Sequence, residues 1–258
     1  MILTAGTADA GLAVVGGLSQ IAAGQPGQEI EHEIVLRNSD DTDVLVRIYP
    51  TDYAFFADGR SVYGEPGTMK RSNARWFTLS AEWITVPARS EAAVYYRGRL
   101  PAGEALSGTY WSILMVEPLG PPETQEVRDQ MGRPGIAVST QVRYGVQIIT
   151  DVGDTGAPDL RFLDRRLLGD NGNTVLQLDV ENAGDKWVYP YTWVELYDET
   201  GGFVGRFEGS QKRIFPGCSV RHKFDLSEVA GGKYTALVII DNKDEFVFGA
   251  QYSLDIES

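Results

Sequence analysis

From Glu29 to Arg37 the residues alternate: Ile30, His32, Ile34 and Leu36 fall on one face, Glu31 and Glu33 on the other. A period of two marks a half-buried β-strand, because successive side chains leave a pleated strand on opposite sides. The pattern returns at 44–49, 92–100 and 109–117, and again at 160–168, 175–180, 192–197, 203–207, 220–224, 234–240 and 246–256. Short strands are expected at 75–78 and 83–86, and a first strand with a glycine break at 11–21. The longest clean alternation runs over 136–149, with Ile136, Val138, Thr140, Val142, Tyr144, Val146 and Ile148 on one side. No segment holds a period of 3.6 across eleven residues, so the chain reads as all-β.

Turn signals punctuate these strands. Gln25-Pro-Gly-Gln28, Asp58-Gly59, Asp170-Asn-Gly-Asn173 and Thr200-Gly-Gly202 predict tight reversals. Residues 64–74, rich in Gly, Pro and Ser, predict a loop, and 118–135 predicts a longer one of functional or mobile character. The small polar run 151–158 reads as a linker. It divides the chain into domains at 11–150 and 158–258.

Three landmarks recur in the same order on either side of that linker. Each half has a strand ending in asparagine and a polar turn, at Asn38-Ser-Asp-Asp41 and Asn182-Ala-Gly-Asp185. Each then has a proline turn behind a strand, at Val86-Pro-Ala-Arg-Ser90 and Phe215-Pro-Gly-Cys-Ser219. Each ends in Gly-x-Tyr opening a strongly apolar strand, at Gly108-Thr-Tyr110 and Gly232-Lys-Tyr234. The chain therefore reads as two tandem immunoglobulin-like β-sandwiches, with an insertion of about 20 residues in the first. Tyr110 and Tyr234 are expected to form tyrosine corners, each hydroxyl turning back to the backbone just upstream.

At 258 residues and 43% hydrophobic content the chain can bury two ordinary cores. A net charge of −13 argues against nucleic acid or an anionic lipid surface as the main partner. No eighteen-residue apolar stretch occurs, so no transmembrane helix is expected. Ala8-x-Ala10 resembles the end of an export signal, although the run before it lacks a basic start and a full apolar stretch. The single cysteine, Cys218, precludes an intrachain disulfide and reads as an incidental thiol.

Chemistry-bearing constellations are sparse in this sequence. His32 and His222 lie in different domains, and no zinc spacing, phosphate loop or nucleophile elbow is present. The acidic turns Ser39–Asp43 and Asp241–Glu245 lack EF-hand spacing and read as solvated. No catalytic residue, cofactor or metal is assigned. Aromatic residues are more suggestive: Trp187, Tyr189, Tyr191 and Trp193 place four large rings in seven residues. Rings turned outward there would offer a surface for another protein or a glycan, as in a structural or adhesive envelope protein.

Two stretches carry a resemblance. Leu100-Pro-Ala-Gly-Glu-Ala-Leu-Ser-Gly-Thr-Tyr-Trp-Ser-Ile113 is a leucine–proline turn into an aromatic strand, and a long loop leads from it to Ile136-Ala-Val-Ser-Thr-Gln-Val-Arg143. In this order of features, over about 70 residues, the first domain resembles the periplasmic pilus-assembly chaperones. The resemblance implies tandem immunoglobulin-like domains, a periplasmic or cell-surface location, no enzymatic activity, and a subunit of a surface assembly as partner. It implies that the closing strand offers its apolar side chains to a subunit with an unfinished fold. Ile136, Val138, Gln141, Val142, Arg143 and Tyr144 would then make the contact. The family anchors a subunit's terminal carboxylate with a lysine on this strand and an arginine on the first strand. Gln141 and Arg143 compete for the lysine's place, and 11–22 holds neither Lys nor Arg.

Overall fold

The computed structural model describes residues 11–102, 105–119, 123–128, 134–140, 142–170 and 173–257; at 123–128, 134–140 and 170 it describes the backbone alone. The export-like segment ending at Ala10 lies outside the described residues. The chain is built almost wholly of strands, as its alternation predicts, and forms two compact units of immunoglobulin-like sandwich. Residues 53–63 and 105–109 belong to the second unit, with 151–258, although they precede the polar linker.

The strands before the linker are β1 (Leu12–Val15), β2 (Ser19–Gly24), β3 (Glu29–Asn38), β4 (Val44–Phe55), β5 (Ser61–Gly64), β6 (Phe77–Leu79), β7 (Trp83–Val86), β8 (Glu91–Arg99), β9 (Gly108–Leu119), β10 (Glu123–Arg128), β11 (Pro134–Thr140) and β12 (Tyr144–Val152). One sheet has the order β1-β3-β8-β6, and the facing one β2-β12-β9-β4-β5 with β7 also on β4. The glycine break after β1 lets the first strand change sheets: Gly16 and Gly17 both hold positive φ, which a side chain would oppose. Between the sheets lies a core of Ile34, Leu36, Val46, Ile48, Val94, Leu114, Val116, Val146 and Ile148. Each such aliphatic side chain contributes about 1.5–3 kcal/mol when fully buried. His32 joins the inward face as its parity requires and stacks on Tyr96 at 5.6 Å.

The rest of the chain carries β13 (Leu160–Asp170), β14 (Asn173–Asn182), β15 (Tyr191–Tyr197), β16 (Phe203–Glu208), β17 (Ser219–Asp225), β18 (Gly232–Asp241) and β19 (Val247–Ile256). They form sheets of order β13-β14-β17 and β16-β15-β18-β19 around Leu176, Leu178, Val194, Leu196, Phe224, Val238 and Ile240. The β13–β14 pairing runs up to Asp170↔Asn173, where the hairpin was expected; residues 171 and 172 lie outside the described set.

The asparagine landmark is a buried plug in both units. Asn38 Nδ2 donates to Thr42 O (2.8 Å), Val86 O (3.1 Å) and Pro87 O (3.2 Å), while its Oδ1 accepts Asp40 N (2.9 Å). Asn182 Nδ2 donates to Lys186 O (2.8 Å) and Ile214 O (3.1 Å), and its Oδ1 accepts Gly184 N (3.0 Å). In each case one amide closes the turn that follows the strand and also ties down the proline turn. Buried backbone groups need such partners.

Three expectations are corrected. Tyr234 forms its corner, with the hydroxyl donating to Ala230 O at 2.8 Å. Tyr110 does not: its ring lies against Trp76 (4.8 Å) and under the Arg71 guanidinium (5.4 Å). The long loop expected over 118–135 is also partly strand, because β10 and β11 pair as a two-stranded antiparallel ribbon. Finally, the single strand expected over 136–149 is two, β11 and β12, with Val142 and Arg143 outside either.

The insertion in the first unit folds around Asp52. Its carboxylate is fully buried and accepts Gly67 N (3.0 Å), Thr68 N (2.8 Å), Met69 N (2.7 Å) and the Ser72 hydroxyl. Charge-assisted bonds of this kind are the strong ones, and they compensate the cost of burying the carboxylate. The loop then delivers Asn73, whose Nδ2 donates to Tyr110 O, Ile148 O and Thr150 Oγ1 at 3.0–3.3 Å.

Candidate partner-binding surface

Residues 11–28 contain no charged side chain, in a chain that is 23% charged. β2 lies in that run and at the end of its sheet, paired with β12 alone among the described strands. Leu18 and Ile21 are 47% and 48% exposed there. Native edge strands are usually blunted by charges, proline or a bulge, because their unpaired backbone groups recruit other strands. β2 has none of these. Gln20 fixes its placement, donating to Glu33 O (2.7 Å) and accepting the Tyr96 hydroxyl (2.6 Å). In the sequence this edge is visible only as the charge-free run 11–28, which by itself shows no more than the lack of an anchoring arginine.

The residues predicted to contact a partner are dispersed around the junction of β11 and β12. β11 is hydrogen-bonded along one side to β10, with Val138 opposite Gln125 and Thr140 opposite Glu123. Ile136 and Val138 lie on this ribbon, and the directions of their side chains are outside the described set, as is Gln141 altogether. Val142 is 44% exposed. Arg143 is exposed and pairs with Glu117 at 3.0 Å, a carboxylate only 15% exposed. Tyr144 turns inward, packs on the first core and donates its hydroxyl to Leu12 O. It holds β12 against β1 rather than facing solvent. Arg143 thus has a carboxylate partner already, and β12 is an internal strand between β2 and β9.

The aromatic segment lies on the solvent side of the β16-β15-β18-β19 sheet. Thr192, Val194 and Leu196 are buried, so Tyr191, Trp193 and Tyr197 take the outer parity. Each of the four predicted rings has a cation nearby: Arg213 over Trp187 (4.8 Å) and Tyr189 (5.8 Å), Lys243 over Tyr191 (5.1 Å), Arg206 over Trp193 (4.0 Å). Trp187 also donates its indole N–H to Asp151 Oδ2 at 3.1 Å. Trp187 and Trp193 are thus engaged within the unit, while Tyr189 and Tyr191 are each 47% exposed.

No site for a metal emerges, since no three His, Cys, Asp or Glu side chains converge among the described residues. Cys218 is buried, and that burial pushes its thiol up to about 11, well away from the thiolate form. Among the described residues no helix is long and apolar enough to cross a membrane.

No family model matches the sequence, and no curated protein matches it. Solved structures do match. The crystal structure of the class 5 fimbriae chaperone CfaA superposes with a TM-score of 0.50 at 9% identity, covering 93% of this chain and 98% of that one. Its fold is similar to that of the fimbrial chaperones. A chaperone–tip adhesin complex of CFA/I fimbriae matches with a TM-score of 0.48 at 10% identity, over 95% of this chain and 99% of that chain. The CsuC–CsuE chaperone–tip subunit complex from Csu pili of Acinetobacter baumannii matches at 0.46 and 14% identity, over 93% and 97%. At these identities the likeness to the chaperones is one of fold.

Proposed function

We propose that this chain is a chaperone-like protein of the cell envelope that binds a subunit of a surface assembly by strand addition in its first unit. The observation that carries this is the pair of strands left unguarded there. β2 is an uncharged edge with apolar side chains exposed, and β11 sits on a two-stranded ribbon with one side of its backbone unpaired among the described strands. β11 leads within a few residues into β12, the neighbour of β2. A partner strand that adds to such edges gains main-chain hydrogen bonds, and alternate side chains give specificity. The likeness in fold to the fimbriae chaperone CfaA supports the reading.

On this reading Ile136, Val138, Gln141 and Val142 belong to the partner-binding stretch, Arg143 is at its margin, and Tyr144 holds the start of β12 against β1. The domain holding them is 11–150, and 158–258 is its companion, in the periplasm or at the cell surface. The tie between Arg143 and Glu117 sets a condition on any anchor. A partner carboxylate must compete with Glu117, so Arg143 would contribute less here than a free cation. The aromatic surface is the weaker reading, because a sugar needs an open ring face and Arg206, Lys243 and Arg213 lie over these rings.

Capture from cell-envelope extracts tests the proposal. Ile21→Lys and Val138→Lys are expected to abolish co-purification of an envelope subunit while leaving circular dichroism unchanged. Arg143→Ala is expected to weaken it by less than tenfold. Undiminished capture by both lysine variants would overturn strand addition.

A further inference from the structure

His222 is the one histidine sealed in a core, and its surroundings suit only the neutral ring. It lies on β17 opposite Leu178 and is 1% exposed. Its ring stacks on Phe224 with centroids 6.5 Å apart. Nδ1 is 3.4 Å from the Thr192 hydroxyl, a long contact, and Nε2 has no hydrogen-bond partner. The Ser210 backbone supplies the remaining polar neighbour.

The charges around it are of the wrong sign to accept a proton. From the 209–214 run comes Lys212, whose ammonium donates to Arg221 O and is itself partly buried. On β17 the neighbours Arg221 and Lys223 take the opposite parity, and Arg221 is bound bidentately by Asp179. β15 presents only the Thr192 hydroxyl, and β14 presents Leu178, with Asp179 on the other face. The packing leaves little slack: a methyl group added at Gly209 would meet Thr192 Oγ1 at 2.5 Å and Phe224 at 2.7 Å.

We propose that His222 is a proton-sensitive latch of the second unit, so that uptake of one proton there loosens this sandwich under mild acid. A buried imidazolium with no carboxylate beside it, and with only the Ser210 backbone and the distant Thr192 hydroxyl as polar neighbours, is costly. Burial chiefly, with Lys212 adding repulsion, pushes the group down from the usual 6.5 to about 4. The unfolded chain takes up the proton first. Stability is therefore complete above about pH 6.5, falls as pH drops, and the loss levels off near pH 4. The gap corresponds to a ~300-fold change in the folding equilibrium. Much of it precedes the range where ordinary carboxylates titrate, near 4.

The test is denaturant unfolding of the full chain at pH 7 and pH 4.5, read for the second unit by hydrogen exchange. The wild type is expected to lose roughly 60-fold more in folding equilibrium than His222→Phe over this interval. Equal losses would overturn the proposal. Should His222→Phe fail to fold, NMR titration of the wild-type imidazole decides. A midpoint below pH 5 supports the latch, and one near 6.5 rejects it.

Discussion

In the second unit the Tyr234 hydroxyl reaches back to Ala230 O, while Tyr110 at the matching place lies between Trp76 and Arg71. The asparagine plugs at Asn38 and Asn182, by contrast, agree almost bond for bond. The difference follows from the insertion. Residues 64–76 are gathered by Asp52 and bring Asn73 and Trp76 onto the start of β9. With Asn73 bonded to Tyr110 O and Thr150, the first unit pins that strand from outside and has no need of the hydroxyl. A repeated motif therefore kept its geometry where nothing new arrived, and lost it where an insertion took over its task.

Substitutions can break this comparison at several strengths. The largest effect is expected at the shared plug. Asn38→Ala and Asn182→Ala should each cost their own unit about 3 kcal/mol, since several buried backbone groups lose their partner. Denaturant melts resolved by hydrogen exchange would show it, and a large inequality between the two would undo the claim of one plan. Next, Asp52→Asn should cost about 2 kcal/mol in the first unit alone, because an amide N–H₂ would face backbone donors. Smaller again is the tyrosine pair. Tyr234→Phe should cost about 1 kcal/mol and Tyr110→Phe less than about 0.5 kcal/mol in the same melts. The smallest effect is expected of Val142→Asp, within about 0.5 kcal/mol, because Val142 is exposed and outside any strand.

The sandwiches were legible because their strands are buried on one face, which prints a period of two. Asn38 and Asn182 were legible as landmarks, though not as plugs, since their partners lie some 30–50 residues away. β10 escaped notice for a physical reason. Glu-Thr-Gln-Glu-Val-Arg128 has almost no apolar alternation, and a two-stranded ribbon pairs through its backbone. The break at 142–143 is hidden for the opposite reason, since Val142 keeps the parity of its neighbours while lying outside the strand. The stacking of Tyr110 on Trp76 joins residues from distant segments and leaves no periodic trace. At the candidate surface, Ile21 was recoverable from the charge-free run around it, whereas the pairing of Arg143 with Glu117 was not.

On the proposed reading a partner strand adds to the first unit at β2 and β11. Site-specific photo-crosslinking in cells tests it most directly, with the reactive group placed in turn at Ile21, Val138 and Tyr191, and the adducts identified by mass spectrometry. One envelope protein crosslinked from both Ile21 and Val138, and absent from Tyr191, is the expected result. Adducts from Tyr191 alone would contradict the account and move the binding surface to the aromatic sheet of the second unit.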